Sequence, residues 1–512
     1  MGDVSKKIIT ESIWKFLSSL VIKVGALVFV VLLARFLKPE GFGIYNLAMS
    51  VVLFFALLAD MGINKAFLRY VSFSLGKKDK SQAAAYTKYL FKLKLITLTL
   101  SAALLFLLAY PLAFFMFKKP ELFIPLIIIS IYLAVISIER FLEYFFYVLK
   151  KVKFITAKET AFQILRIALA LIVFFFFADQ WRVIGVLLAL IVANSIVTFS
   201  MFLIIRKKAK FLFKKTKAKV DTRKIFRFVK YLAIGGLSTM FFIYIDTIML
   251  GIFLPAEYVG FYSSAVGLIA SLIVLVSVPN ILLPIFTQFK RFQLKKAFDK
   301  VFRYICILSM PLIFGALVLG RYVIRAFYGY EYLPAAIPFY FLSVLIFSGV
   351  LTDMLVALFS AREKPKYFVN VLIFASILNV ILNYILITTF MAISLEWAMI
   401  GAASATIFSR YLYMASLMFI ANKKLRVSFK ASYFARTFAA GVIMFGVLYW
   451  INMSMIVDMT LWIGLLEIAL GAVIYFSILL LTETLTEEDF IMIMEIIQRK
   501  NPKQIKNKIR TE

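Results

Sequence analysis

Apolar residues run through this chain in fourteen stretches, each of about 20 residues, the length an α-helix needs to cross a hydrocarbon core. They lie near 13–36, 43–67, 89–116, 122–148, 159–178, 183–205, 228–253, 259–287, 301–326, 336–360, 367–390, 397–420, 437–452 and 461–481. Polar residues collect in the short gaps. Lipid offers backbone groups no partners, and the stretches are twice the length of barrel strands, so the pattern predicts helices. The expected fold is an all-α membrane protein with about 14 transmembrane helices.

The gaps alternate in charge. Those at 69–88, 149–158, 206–230, 288–303, 361–366 and 421–436 hold 35 Lys and Arg, and the intervening gaps hold 7. By the positive-inside rule the basic loops are cytoplasmic, which places both termini inside a cell membrane crossed many times. The chain is 63% hydrophobic and carries a net charge of +32. That charge is loop-bound and explained by orientation and lipid headgroups, so nucleic acid is excluded as a partner and the bilayer is expected as one.

Cys306 is the only cysteine and histidine is absent. This excludes a disulfide framework, a thiolate metal site and imidazole chemistry. The first apolar stretch is too long for a cleavable leader. The opposite-side loops are short connections. Nucleophile motifs, phosphate-cradling Gly loops and metal clusters are missing, so the chain is not expected to be an enzyme or to carry a cofactor.

An ungapped internal match lies at an offset of 217. Phe36, Leu37, Glu40, Gly43, Tyr45 and Ala48 recur as Phe253, Leu254, Glu257, Gly260, Tyr262 and Ala265. Both copies follow the first span of their half. The expected organisation is therefore a parallel duplication about an axis along the membrane normal. Two six-helix lobes, 1–218 and 219–430, precede a helix pair at 431–482 and a tail at 483–512. Thr486 with Asp489 fits a capping box, and Phe490, Ile493, Met494 and Ile497 predict an amphipathic tail helix on the membrane surface.

The segment Leu33-Ala34-Arg35-Phe36-Leu37-Lys38-Pro39-Glu40-Gly41-Phe42-Gly43-Ile44-Tyr45, the run Ala59-Asp60-Met61-Gly62-Ile63-Asn64 with Arg69-Tyr70, and Asp246-Thr247-Ile248-Met249-Leu250-Gly251 with Gly260-Phe261-Tyr262 together resemble the polysaccharide-export flippases of the multidrug/oligosaccharidyl-lipid/polysaccharide superfamily. The resemblance implies two lobes around a central cavity, alternating access, and transfer of a lipid-diphosphate-linked oligosaccharide to the outer leaflet by a monomer. A multidrug or cation antiporter, or a peptidoglycan-precursor flippase, shares the same core. Antiporters of that superfamily usually have twelve spans.

Such a substrate needs cations at membrane depth, and intramembrane ionisable residues are functional candidates by default. Lys15 and Lys23 share one side of the first span. Glu159, Gln163 and Arg166 form a stripe in the fifth, where Arg166 either meets substrate or pairs with a carboxylate. Arg410 lies mid-span in the twelfth. Asp60, Asp246 and Asp353 are candidate structural acceptors, cation partners or sites coupling transport to H+ or Na+. Arg140 and Glu143 are spaced to satisfy each other. Ser376, Asn379 and Asn383 line one face of the eleventh span as helix glue or sugar contacts. Pro279, Pro284 and Pro311 are expected to bend their helices.

Overall fold

The computed structural model describes the backbone of residues 2–151, 153–214, 216–277, 286–287, 291–454, 461–485 and 489. The side chains of Lys15 and Lys23, the capping residue Thr486, the apolar tail positions from Phe490 onward, Pro279 and Pro284 lie outside the described residues.

The described residues are helical almost throughout. In chain order the helices are α1 (Gly2–Asp60), α2 (Ile63–Gly76), α3 (Lys80–Pro111), α4 (Phe123–Val148), α5 (Lys153–Phe176), α6 (Arg182–Lys208), α7 (Thr222–Phe253), α8 (Ala256–Val276), α9 (Arg291–Tyr328), α10 (Ala336–Ser343), α11 (Leu345–Ala361), α12 (Pro365–Met391), α13 (Leu395–Leu425), α14 (Ala431–Ser454) and α15 (Leu461–Leu481).

Among the described residues eleven helices are long and apolar enough to cross a bilayer, or twelve with the bent segment Tyr330–Ser343 and Leu345–Ala361 counted as one. Two features reconcile this with fourteen predicted spans. Helix α1 carries the first two, broken at Lys38 (φ 57°, ψ 173°), the residue before Pro39. Proline offers no N–H and its predecessor avoids helical angles, so the apolar run bends there. Helix α13 carries the twelfth, diluted by Ser404, Thr406, Ser409 and Arg410. Fourteen is therefore an approximate count. Pro311 sits inside α9.

The chain divides into two compact units. The first comprises Met1–Ser271, Phe327–Pro338 and Val369–Ser409. In it α1 packs on α3, α4, α5 and α7, and α4 packs on α6. An aromatic nucleus anchors α2 to α4: the Phe67 ring lies 4.9 Å from Phe141 and 4.5 Å from Phe145. Lipid is as apolar as Leu, so close fit rather than water exclusion holds such helices together. The second unit comprises Leu272–Ala326, Phe339–Phe368 and Arg410–Glu512. There Gly441 admits the Phe314 ring, and the Tyr475 hydroxyl donates to the Ile307 carbonyl at 3.0 Å.

The two copies of the repeat meet inside the first unit. A Cβ on Gly43 would fall 1.8 Å from the Ala256 carbonyl oxygen, and one on Gly260 would fall 2.1 Å from the Pro39 oxygen. Gly43 and Gly260 are mates at the offset of 217, and so are Pro39 and Ala256. The contact is reciprocal, as a two-fold relation requires. Nearby, the Lys119 ammonium caps the last turn of α7, donating to the Gly251 carbonyl at 2.5 Å and to Phe117 at 3.1 Å.

Gly43→Ala and Gly260→Ala should each destabilise the protein by about 1–3 kcal/mol or more, because the obstacle is backbone and cannot rotate away. Gly446→Ala, where a Cβ meets nothing within 4 Å, should be neutral or slightly stabilising. Thermal unfolding in detergent checks the contrast.

Candidate functional site

Helix α1 ends at Asp60 because Met61 (φ 43°) and Gly62 (φ 84°) turn left-handed. Gly62 suits that angle, and a side chain there would also strike Leu232, its Cβ lying 2.5 Å from that residue. The Asp60 carboxylate accepts from the backbone N–H of Gly62 at 3.3 Å and of Asn64 at 3.2 Å, so one side chain closes the break between α1 and α2. From α3, the Lys94 ammonium lies 3.5 Å from Asp60 and donates to the Ala59 carbonyl at 3.0 Å. Its side chain is only 2% exposed. A cation so placed must be paired, and this one is.

That break floors a cavity of about 410 Å³. Asp60, Asn64, Lys65 and Lys94 line one side, Ser137, Arg140 and Glu143 of α4 a second, and Gly236 and Thr239 of α7 a third. It lies 17 residues along α1 from Gly43, about 25 Å at the helical rise, toward the basic-loop end of these helices.

The charges lining the cavity do not cancel. Asp60 is taken by Lys94, and Glu143 is drawn to Lys158 of α5 at 3.3 Å. Arg140 and Lys65 are exposed and have no ion-pair partner among the described residues. The expected Arg140–Glu143 pair is thus replaced by an interhelical one. Lys158, counted in sequence as a loop cation, is buried: α5 begins at Lys153 rather than near 159 and carries it into the bundle. It pairs with Glu139 and lies 2.5 Å from Glu159. Glu139, Glu143 and Glu159 are close enough together to hold a metal, but the Lys158 ammonium already stands among them.

The other predicted residues form separate clusters. Arg166 lies over the Phe29 ring at 4.3 Å and the Phe162 ring at 5.3 Å, a cation–π arrangement. Buried Gln163 leaves its Oε1 without a hydrogen-bond partner among the described residues. Glu159 has gone to Lys158, so the predicted stripe divides in two. Asp246 is buried and accepts from Tyr262 at 3.1 Å, from the Asn383 amide at 2.8 Å, and from the Thr406 hydroxyl. The Asn379 amide donates to Thr406 at 3.4 Å, and Ser376 donates to the Ser238 carbonyl at 2.9 Å. In the second unit Ser277 donates to Asp353 at 2.5 Å, within the field of the Arg410 charge. Of the residues singled out from sequence as site residues, Asp60 lines the cavity. Lys65, Lys94 and Thr239 were not singled out.

The offset of 217 also relates two of these clusters. Phe29, Tyr45 and Arg166 correspond to Asp246, Tyr262 and Asn383. Positions 29 and 166 meet in one half, and 246 and 383 meet in the other. The same pair of positions is therefore in contact twice, once as a cation on a ring and once as an amide on a carboxylate.

Residues 8–290 match the family model described as polysaccharide biosynthesis protein. A probable low-salt glycan biosynthesis flippase, Agl15 of Haloferax volcanii, is 24% identical over 287 residues, covering 54% of this chain and 58% of that protein. Among solved structures, the lipid II flippase MurJ in an inward closed conformation superposes with a TM-score of 0.73 at 16% identity, covering 91% of this chain and 98% of MurJ. An inward-facing multidrug transporter of the MATE family superposes at 0.59 with 13% identity, covering 83% and 95%. These likenesses show the fold.

A double-mutant cycle on Lys94 and Asp60 should give a coupling energy. Lys94→Ala should cost about 3 kcal/mol or somewhat less, because Asp60 keeps partial access to water, and should cost less in an Asp60→Asn background. Additive effects in unfolding measurements would show that the pair does not hold the break.

Proposed function

Because this chain belongs to the polysaccharide biosynthesis protein family, we propose that it is a flippase carrying a lipid-diphosphate-linked oligosaccharide from the cytoplasmic to the outer leaflet for surface glycan assembly. One observation carries the reading: among the described residues the cavity lining holds three cations, Lys65, Lys94 and Arg140, against two carboxylates, Asp60 and Glu143, and neither Arg140 nor Lys65 is ion-paired there. A diphosphate needs such charges, and charge-assisted hydrogen bonds to it are the strong kind. Asn64, Ser137 and Thr239 supply the neutral donors and acceptors that sugars need.

The proposed cycle begins with the cavity facing the cytoplasm, the side of the basic loops and of both termini. Arg140 and Lys65 capture the diphosphate while the polyprenyl tail stays in lipid. The reciprocal Gly43–Gly260 contact closes the far end. Rocking of the lobes 1–218 and 219–430 parts that contact and opens the cavity outward. Lys15, Lys23, Arg166 and Arg410 remain the further cations proposed to favour an anionic substrate. The chemistry is transport by a monomer, without catalysis.

The reading extends to coupling. Asp246, Thr406 and the side-chain oxygens of Asn379 and Asn383 are buried together, and those two amide oxygens have no hydrogen-bond partner among the described residues. An all-oxygen set with one carboxylate suits Na+, and the carboxylate alone suits H+. Asp353 is the second candidate.

Arg140→Ala and Lys65→Ala should each lower flipping of a fluorescent lipid-diphosphate oligosaccharide in proteoliposomes by about tenfold at equal protein abundance. Lys77→Ala, whose ammonium lies 4.6 Å from the Phe73 ring centroid and away from the cavity-lining set, should leave the rate unchanged. Normal rates in both cavity variants would reject the site. Asp246→Asn should abolish the response of flipping to an imposed Na+ or H+ gradient while passive equilibration continues. An intact gradient response would remove Asp246 from the coupling site.

A further inference from the structure

Helix α6 ends in Arg206, Lys207 and Lys208, and a single 3-10 turn, Lys210–Phe213, follows. This elbow is pinned. Ala209 and Leu212 are fully buried, and the Phe213 ring stacks on Phe145 at 5.7 Å and 7°. The pinned turn and the last turns of α6 enclose a recess of about 330 Å³ lined by Phe202, Arg206, Lys210 and Phe213. Phe202 and Arg206 lie one turn apart on α6, and the 3-10 turn brings Lys210 and Phe213 to the same recess. Arg206 and Lys210 are exposed and have no ion-pair partner among the described residues.

Toward mid-span the same helix presents Val192, Ile196, Phe199 and Leu203, 46%, 46%, 63% and 41% exposed, at helical spacing. An apolar track thus leads along the lipid-facing side to a recess with two cations and two rings.

We propose that this recess binds the phosphate of an anionic glycerophospholipid from the surrounding bilayer, with its acyl chains along Val192, Ile196, Phe199 and Leu203. A soluble anion would leave the track and both rings without a partner. A zwitterionic headgroup would bring its own ammonium against Arg206 and Lys210. None of the recess residues lines the α1–α2–α4 cavity, so the site is separate from the proposed transport route.

The test is native mass spectrometry of the full chain, delipidated and titrated with phosphatidylglycerol or with phosphatidylcholine of the same chains. Wild-type protein should retain phosphatidylglycerol in preference to phosphatidylcholine. Arg206→Gln with Lys210→Gln should weaken that retention on the order of 30-fold, from two cations near a membrane surface. Lys207→Gln with Lys208→Gln removes the same charge from the same helix end and should leave retention within about threefold of wild type. Equal loss in both double variants would mean diffuse attraction and overturn the site. Equal retention of the two lipids, or displacement of phosphatidylglycerol by inorganic phosphate, would overturn the ligand. All the substituted residues are exposed, and a matching melting temperature confirms that each variant is folded.

Discussion

A polar group inside a bilayer must find its partner within the protein, and that constraint organises this molecule more than any single packing contact. Lys94 is held by Asp60 and a carbonyl, Lys158 by three glutamates, Asp246 by a tyrosine, an asparagine and a threonine, and Arg166 by two aromatic faces. Each arrangement ties helices together that lipid alone would not hold. What is left over is informative for the same reason. Once these pairings are made, Arg140 and Lys65 line the cavity with no ion-pair partner among the described residues.

Much of the fold was legible in the sequence because the bilayer imposes a length and a sign. The apolar stretches fall on helices, and the repeat found in the loops returns as the crossing of Gly43 and Gly260. The candidate site was less legible. Lys94 resembles any lysine near a span end until its neighbour across the bundle is known. Arg140 and Glu143 have the right spacing on one helix, but a cation from α5 competes for the carboxylate and wins because it is also surrounded by Glu139 and Glu159. The early start of α5 turned a loop lysine into a buried one. Such facts depend on which helices adjoin, and periodicity within one helix does not carry them.

The reciprocal crossing and the cavity lie at opposite ends of the second span carried by α1, 17 residues apart. Backbone contact without side chains makes one end tight, while the break at Asp60 and the small residues Gly236 and Thr239 leave room at the other. The contrast comes from residue size: glycine at the crossing lets main chains touch, and left-handed turns at Met61 and Gly62 spread them.

The contact of positions 29 with 166 and of 246 with 383 carries different chemistry in the two copies. Two identical half-length subunits would be obliged to show the same chemistry on both sides of their symmetry axis. Within one polypeptide the halves are free to differ, and one holds a guanidinium where the other holds an amide beside a carboxylate. A single chain can thereby give a repeated scaffold an electrical asymmetry that a homodimer could not possess.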